Sequence, residues 1–451
     1  MSPLPIALGN RPLHTIADIK DGLLKHATRL QIAENLTEFP VEVFELADTL
    51  EILDLSGNQL SELPTDLARL SQLKVLFLSN NQFTKLPAVL AECPQLETIG
   101  FKHNQIKDVP ENSLPLKTRW LILTDNALTQ LPDSMGQLKS LQKLMIAGNQ
   151  ITSLPASMQY CRALQLIRLS ANQLTTLPDF LFQLPKLAWL AFSGNPVCTA
   201  FSEEDSELSV VSLSDVERHE VLGEGASGVI STATLRKLPD SLQNIEQPIA
   251  VKIFKGKITS DGYSSDELAA CLAAGNHPNL ITALAQVTDA NESGLIMQLI
   301  PDGYSNLGEP PTLQSCTRDH FDDDFMLTVA AAHKMALTVT DTLLHLLDKG
   351  ISHGDLYAHN ILSNEEADIL LSDFGAASNY ASLSDANAAG MQSIEVRAFG
   401  CLLEDLLGSC CDSDECEDLF EPLVLLKNRC MHPKVALRPT FTEIKSELGA
   451  L

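Results

Sequence analysis

The sequence predicts two modules of different architecture, an α/β solenoid of short repeats over residues 27–198 and an α+β domain over residues 213–451. The first observation behind this prediction is a period of 22 or 23 residues in the first half of the chain. The second is that the period stops near residue 198, where a glycine-rich stretch, short strands and long apolar helices follow. The third is charge, because residues 1–201 hold 18 acidic and 16 basic side chains, whereas residues 202–451 hold 40 and 15.

Composition excludes several classes of protein. With 451 residues, 45% hydrophobic and 20% charged, the chain is long and apolar enough for two or three folded domains. It has neither an apolar run of about 18 residues nor a signal-peptide pattern, so we expect a cytoplasmic protein with no membrane partner. The net charge of −27 disfavours nucleic acid and favours a basic polypeptide partner, or serves solubility alone. Ten scattered cysteines without a CxxC pair indicate reduced thiols.

The repeat unit follows the pattern L-x-x-L-x-L-x-x-N-x-L-x-x-L-P. Its alternating leucines predict a short strand, and stacked units close a core that one unit cannot bury alone. The asparagine turns the chain, and its amide can bind backbone groups of adjacent turns. It stands at Asn58, Asn81, Asn104, Asn126, Asn149, Asn172 and Asn195. These features resemble the leucine-rich-repeat family, with about eight units over residues 27–198 and a helical N-terminal cap in residues 1–26.

The strand positions between the core leucines would line the concave face of the solenoid, which is usually a binding surface in repeat proteins. Six apolar residues at these positions predict a contact patch for a protein substrate or regulator. They are Phe77, Trp120, Ile122, Met145, Leu166 and Trp189. We expect Trp120 and Trp189, the two tryptophans of the chain, to anchor that partner. The alternative is that the second module or a second copy of the chain covers the patch.

Residues 199–212, TAFSEEDSELSVVS, are acidic and rich in serine, which predicts a linker. The linker is too short and polar to cross a bilayer, so a receptor layout with a membrane span between the modules is not expected.

A glycine-rich hairpin and a strand lysine open the second module. Gly223, Gly225 and Gly228 are followed by strand-forming residues and not by a helix, which favours a phosphate-covering hairpin over a Rossmann turn. The strand IAVKIFK then places Lys252 as a candidate phosphate clamp. The next helix ends at Gly275, and Glu267 near its start is the expected partner of Lys252, with Asp266 as the alternative. A buried strand is predicted at 294–301 and a long helix at 326–350, separated by a polar insertion at 302–325.

Two loops carry the remaining polar groups of the predicted site. The stretch HGDLYAHN holds Asp355 and Asn360, and ADILLSDFG ends in Asp373. Asn360 and Asp373 supply hard oxygen ligands suited to Mg²⁺. Asp355 is then the group placed to take a proton from an acceptor hydroxyl.

In this order and spacing, these motifs resemble the eukaryotic-like protein kinase family over residues 213–451, so the whole chain resembles a soluble, bacterial-type leucine-rich-repeat protein kinase. The resemblance implies a bilobal α+β domain that uses ATP and Mg²⁺. Lys252, braced by Glu267, would hold the α/β-phosphates, Asp355 and Asn360 would be catalytic, and Asn360 and Asp373 would bind the metal. The predicted nucleotide-binding residues are Leu222, Gly223, Gly225, Gly228, Ile230, Ala250, Lys252, Met297 and Leu299.

The chain departs from the family pattern in its catalytic loop. Gly354 stands in place of the usual arginine, so nothing beside Asp355 would receive a phosphorylated activation loop, and we expect activity without that phosphorylation. Tyr357 replaces the lysine of serine/threonine kinases, and His359 replaces the arginine of tyrosine kinases. The segment from Asp373 to Glu395 lacks an A-P-E motif, and Arg438 loses its expected glutamate partner.

We therefore predict a serine/threonine protein kinase with a protein-binding repeat module. Two rival functions stay open. An H-G-D loop without A-P-E also resembles small-molecule phosphotransferases such as aminoglycoside and choline kinases. A repeat scaffold carrying a nucleotide-binding pseudokinase is the non-enzymatic alternative.

Overall fold

A computed structural model describes residues 14–199, 209–225, 228–239, 242–243, 245, 248–256, 258–281, 283–289 and 292–451. The chain divides into two compact units: Met1–Leu187 with Pro310–Arg318, and Ala188–Glu309 with Asp319–Leu451. The predicted cap up to residue 13 and the predicted linker over 200–208 lie outside the described residues. The end of that linker is not a linker, because Ser209–Ser212 forms a strand.

The first unit is a stack of short parallel strands. Helix α1, Ile16–Lys20, begins at the capping box formed by Thr15 and Asp18. Seven strands follow and pair in chain order. They are β1 (Arg29–Gln31), β2 (Ile52–Asp54), β3 (Val75–Phe77), β4 (Thr98–Gly100), β5 (Trp120–Ile122), β6 (Lys143–Met145) and β7 (Leu166–Arg168). The register pairs equivalent repeat positions, as Ile52 with Val75, so the sequence period sets the strand pairing.

The core of this unit follows the repeat pattern. The middle residue of each strand, such as Leu53 or Leu76, is fully buried. Short 3₁₀ helices, among them Ala88–Glu92 and Ala156–Tyr160, follow the strand in most of the repeats. The asparagine after each of the strands β2 to β7 is buried or half-buried, and its amide binds backbone groups of its own and the preceding turn, as Asn81 does.

The predicted concave patch is exposed only in part. Trp120, Leu166 and Trp189 are 3%, 2% and 1% exposed, so the prediction that the two tryptophans anchor an external partner is wrong for this structure. Phe77, Ile122 and Met145 are half-buried.

Part of the predicted insertion also belongs to the first unit, which local sequence patterns did not indicate. The Arg119 side chain donates to the Gln314 carbonyl at 3.1 Å, and the Thr317 hydroxyl donates to Gln165 Oε1 at 2.9 Å. Residues 310–318 of the predicted insertion therefore cover part of the repeat unit.

The second unit begins with the last repeat strand, β8 (Trp189–Ala191), and continues with a mixed sheet. That sheet has the order β10-β11-β12-β14-β13-β9. Its strands are β9 (Ser209–Ser212), β10 (Val216–Glu224), β11 (Gly228–Leu235), β12 (Ile249–Phe254), β13 (Ala283–Thr288) and β14 (Ser293–Met297). The predicted strand at 294–301 is therefore correct in type but ends at Met297.

Helices dominate the rest of the second unit. They are α2 (Ser264–Ala274), α3 (Val329–Asp348), α4 (Asp385–Gly408), α5 (Glu417–Cys430) and α6 (Phe441–Leu448). Five two- or three-residue strands accompany them: β15 (Ser305–Asn306), β16 (Ile351–Ser352), β17 (Ile361–Ser363), β18 (Ile369–Leu371) and β19 (Ser378–Asn379). Helix α2 ends at Gly275, whose φ of +63° favours glycine, and α3 begins at the Thr328 cap. In the part of the chain that is described, no helix combines the length and hydropathy needed to cross a membrane.

Replacing Asn172 by alanine should destabilise the repeat unit by about 3 kcal/mol, because each buried backbone group left without a partner costs about 1–3 kcal/mol. Its Nδ2 donates to the carbonyls of Ile146 and Leu169 at 2.9 Å, and its Oδ1 accepts from the Ile151 amide at 3.0 Å. Urea unfolding followed by circular dichroism measures the change. The exposed neighbour Gln173→Ala is the control, and an equal loss in both variants would contradict this role of the amide.

Candidate active site

One face of the second unit's sheet carries most of the predicted nucleotide-binding residues. Ile230 is the cross-strand partner of Lys252, and Ala250 is the partner of Met297. Gly223 pairs with Ile230 beside a bulge in β10. Because successive side chains of a strand point to opposite faces, these residues share one face. The alternate residues, among them Val211, Ala233, Val251, Val287 and Ile296, form the hydrophobic core on the other face.

The two leucines predicted for this pocket lie at its margins. Leu222, in β10, is 51% exposed, and Leu299, just after β14, is half-buried.

The glycine-rich turn leaves open space above this face. A Cβ added at Gly223 or Gly225 would meet no atom within 4 Å. The Gly225 amide donates to the Gly228 carbonyl at 2.9 Å, which joins the end of β10 to the start of β11. Gly228 has the opposite requirement, because an added Cβ would lie 2.5 Å from the Ile253 carbonyl oxygen. Backbone can therefore approach a ligand at the first two glycines, and the third is needed for strand packing.

Lys252 and Glu267 form a buried ion pair between β12 and α2. Their side chains are 9% and 4% exposed. Burial alone would lower the pKa of the Lys252 ammonium, but the carboxylates of Asp373 and Glu267 raise it. Burial, and then the Asp373 carboxylate, raise the pKa of Glu267 against the opposing effect of Lys252.

Asp373 lies beside this pair. Its φ of +57° is in the left-handed region, and its Oδ1 accepts from the Gly375 amide at 3.0 Å. A Cβ added at Gly375 would lie 3.1 Å from Asp373 Oδ1 and 3.6 Å from Glu267 Oε2, so the two carboxylates approach the same point. Two carboxylates around one ammonium leave a negative charge that suits a cation.

Asp355 and Asn360 are joined within the predicted catalytic loop. Asn360 Nδ2 donates to the Asp355 carbonyl at 2.9 Å and to Asp355 Oδ2 at 3.0 Å. The amide oxygen of Asn360 is thereby the atom of that side chain suited to ligate a cation. The Asn360 carbonyl accepts from both the amide and the hydroxyl of Ser372 at 2.9 Å, which ties this loop to the residue before Asp373.

These contacts agree with the chemistry of a magnesium site. Mg²⁺ in phosphotransferases takes one or two protein oxygen ligands, and phosphates and waters supply the rest. Asn360 and Asp373 are such a pair, whereas no cluster of three or more His, Cys, Asp or Glu side chains suited to a metal occurs among the residues described. The donor set therefore fits a metal that arrives with nucleotide phosphates.

Glu395 binds the backbone of the predicted catalytic loop, a contact that the sequence did not predict. Its carboxylate accepts from the Gly354 amide at 2.9 Å and from the His353 amide at 3.3 Å. His353 Nδ1 accepts from the Asp355 amide at 3.3 Å, so its Nε2 carries the proton and donates to the Ser372 carbonyl at 3.0 Å. His353 is fully buried and thus links the two loops of the site.

A second feature missed from the sequence is the pair formed by His359 and Asp319. Asp319 Oδ1 and His359 Nδ1 are 2.7 Å apart, and the His359 amide donates to Asp319 Oδ2 at 3.0 Å. Burial alone would lower the pKa of the imidazole, but the hydrogen bond and charge of Asp319, then Asp355 and Asp373, raise it. No local signal marks Asp319, which lies 40 residues earlier in an acidic stretch.

Arg438, for which the family pattern implies a glutamate partner, binds two backbone carbonyls. Its Nε donates to the His432 carbonyl at 3.0 Å and its Nη1 to the Ser393 carbonyl at 2.9 Å. Burial, and then the Arg397 charge, lower the pKa of Arg438 to about 10.

Replacing His359 by glutamine should destabilise the second unit more at about pH 6 than at about pH 9. The folded-state pKa lies above the ordinary value of 6.5, so the stabilising contribution is complete below 6.5 and is lost as pH rises through the folded-state pKa. Urea unfolding followed by Trp189 fluorescence in a Trp120→Phe background measures it. The exposed His26→Gln serves as control, and an equal loss at both pH values for His359→Gln would contradict the charged pair.

Comparisons with known proteins match both modules. A family model described as leucine rich repeat matches residues 48–106, 117–174 and 139–197. A model described as protein tyrosine and serine/threonine kinase matches residues 216–414. A solved leucine-rich-repeat protein of Leptospira interrogans is similar, with a TM-score of 0.36 and 24% identity, covering 41% of this chain and 53% of that chain.

Curated receptor kinases are similar to part of this chain. Fibroblast growth factor receptor 1 of Xenopus laevis is 27% identical over 199 residues, which are 42% of this chain and 24% of the relative. A calmodulin-binding receptor kinase of Arabidopsis thaliana is 26% identical over 203 residues, which are 42% of this chain and 30% of the relative. The chain thus spans less than a third of the length of these relatives. Together with the repeat and sheet architecture, the matches identify the chain as leucine-rich repeats, over residues 48–197, followed by a protein kinase domain, over residues 216–414.

Proposed function

We propose that this chain transfers the γ-phosphoryl group of ATP to a hydroxyl group of a protein side chain. The observation that carries the proposal is the joint presence of the Lys252–Glu267 ion pair and the Asn360–Asp355 hydrogen bond. Phosphoryl transfer needs positioning and charge neutralisation more than covalent chemistry, and these groups supply both.

Each residue of the site has a distinct task. Lys252 binds the α- and β-phosphates of ATP, and Glu267 fixes the Lys252 ammonium in place. Asn360 and Asp373 hold Mg²⁺, which when bound neutralises charge on the phosphate oxygens. Asp355 accepts the proton of the acceptor hydroxyl, with its carboxylate oriented by Asn360 at 3.0 Å.

The acceptor hydroxyl in this proposal belongs to serine or threonine. His359 stands where tyrosine kinases place arginine, but both its ring Nδ1 and its amide are bound to Asp319. Its side chain is 18% exposed, so little of it is available to a substrate phenol.

Asp355→Asn should lower kcat for transfer to a generic protein substrate by about 10²–10⁴-fold, because the loss of a general base costs this much. Lys252→Met should abolish transfer by removing the phosphate clamp. Incubation with labelled ATP and Mg²⁺, followed by phosphoamino acid analysis, measures both the rate and the acceptor type. Asp368→Asn changes an exposed carboxylate on a neighbouring turn and should leave kcat unchanged.

A metabolite panel in the same assay separates this proposal from its rivals. Labelled small molecules in place of labelled protein would indicate a small-molecule phosphotransferase. Nucleotide binding without any transfer would indicate a pseudokinase. Label found only on tyrosine would refute the acceptor assignment but not the kinase activity.

We also propose that the repeat unit binds a protein partner through Phe77, Ile122 and Met145. Repeat modules of this family serve protein–protein interaction, and these apolar side chains are half-buried on strands β3, β5 and β6. A Cβ added at Gly100 would lie 2.6 Å from Phe77 Cδ1 and 3.7 Å from Ile122 Cδ1, so both side chains lie over the strand between them. These apolar side chains suit an apolar anchor of a partner.

The double variant Phe77→Ser/Met145→Ser should weaken partner capture at least about tenfold, because anchor residues of interfaces contribute about 2 kcal/mol or more. Quantitative pull-down, followed by titration of a purified interactor, measures the loss. The control is Leu23→Ser, since Leu23 is 72% exposed in the first unit but away from these strands. Equal capture by both variants would exclude this surface.

A further inference from the structure

The last leucine-rich repeat packs against the kinase catalytic loop. The ring of Trp189, in β8, stacks on Tyr357 with a centroid distance of 4.3 Å and an interplanar angle of 8°. Its Nε1 donates to the Leu356 carbonyl at 3.0 Å. Trp189 and Tyr357 are 1% and 5% exposed, so the stack is buried. This tryptophan therefore contacts the loop that holds Asp355 and Asn360.

The backbone of the same strand contacts Gly354. The φ of Gly354 is +72°, and an added Cβ would lie 2.5 Å from the Ala376 carbonyl oxygen and 2.9 Å from the Leu190 carbonyl oxygen. A Cβ essentially never approaches backbone this closely. The space that the side chain at position 354 would enter is thus occupied by the repeat strand and by the segment after Asp373.

The repeat also binds the segment that follows Asp373. The Phe192 amide donates to the Ser378 hydroxyl oxygen at 2.9 Å, and the Ser382 hydroxyl donates to the Val197 carbonyl at 2.7 Å. Protein kinases commonly order this segment through phosphorylation, and position 354 is where the arginine for that contact is expected. Here hydrogen bonds from the repeat take its place.

A third contact reaches the helix that carries Glu267. Gly194, with φ of +66°, lies so close to α2 that an added Cβ would be 2.8 Å from both Asp266 Oδ2 and the Tyr263 ring. Asp266 directly precedes Glu267, the partner of Lys252. The repeat therefore contacts the loop that holds Asp355, the segment after Asp373 and helix α2.

We infer that residues 188–198 are a built-in positioning element of the kinase, and that Trp189 is its principal positioning residue, holding the catalytic loop in its productive arrangement without phosphorylation. The inference rests on the proposed kinase activity. A positioning role fits better than a blocking one, because the Lys252–Glu267 pair and the Asn360–Asp355 hydrogen bond are both formed while the repeat is in place.

Trp189→Leu in the full chain tests this inference. We expect kcat for protein phosphorylation to fall about 10- to 100-fold, with KM for ATP changed by less than about threefold, because a displaced loop misplaces Asp355 but not the nucleotide-binding face. Trp189→Phe keeps an aromatic ring for the stack and should restore kcat to within about threefold of the unchanged chain. Hydrogen exchange should show faster exchange of the Gly354 and Asp355 amides in Trp189→Leu.

The matched control is Phe101→Leu, which shortens another fully buried aromatic side chain in the first unit and should change neither kcat nor exchange in the catalytic loop. A rise of kcat in Trp189→Leu would overturn the inference in favour of an inhibitory repeat. Unchanged kcat and exchange would overturn it as well. If the unchanged chain transfers no phosphate, the proposed function fails, and the exchange measurement still decides whether Trp189 holds the loop.

Discussion

Gly354 has no space for a side chain, and the proposed active site depends on that constraint. Carbonyl oxygens of Ala376 and Leu190 lie 2.5 and 2.9 Å from the position of a Cβ, and the Glu395 carboxylate binds the Gly354 amide at 2.9 Å. Backbone from two other segments and a buried carboxylate thus meet at one glycine. This close packing fixes the catalytic loop by sterics and hydrogen bonds, where an arginine at this position would depend on an added phosphate.

The site also brings one ammonium group, Lys252, next to two carboxylates, Glu267 and Asp373. The Lys252–Glu267 pair has little access to water, whereas the neighbouring Asp373 is exposed. Burial, and then the Asp373 carboxylate, raise the pKa of Glu267. A buried ion pair beside a second carboxylate is electrostatically costly by itself. A divalent cation and phosphates, as proposed, would relieve this cost.

The repeat sequence was sufficient to predict its own strands and their register, because the pattern is local and repeats every 22 or 23 residues. The asparagine amides bind the backbone as their position implied. The polar residues proposed for the kinase site could also be named from spacing, since the glycine hairpin, the strand lysine and the loop acids stand in fixed order. Local signals failed where context decides, as in Ser209–Ser212, which reads as linker but pairs with β13.

The sequence by itself determined the two modules, their order, the core positions of the repeats and the residues proposed for phosphate, metal and proton transfer. Only the tertiary structure decided which apolar residues are covered. Trp189 reads as an exposed anchor by its repeat position, yet it is buried against a loop 167 residues away. Asp319 likewise has no local pattern and gains its role only through His359. The physical reason is that periodicity specifies which side a residue faces, whereas its burial depends on which distant segment packs there.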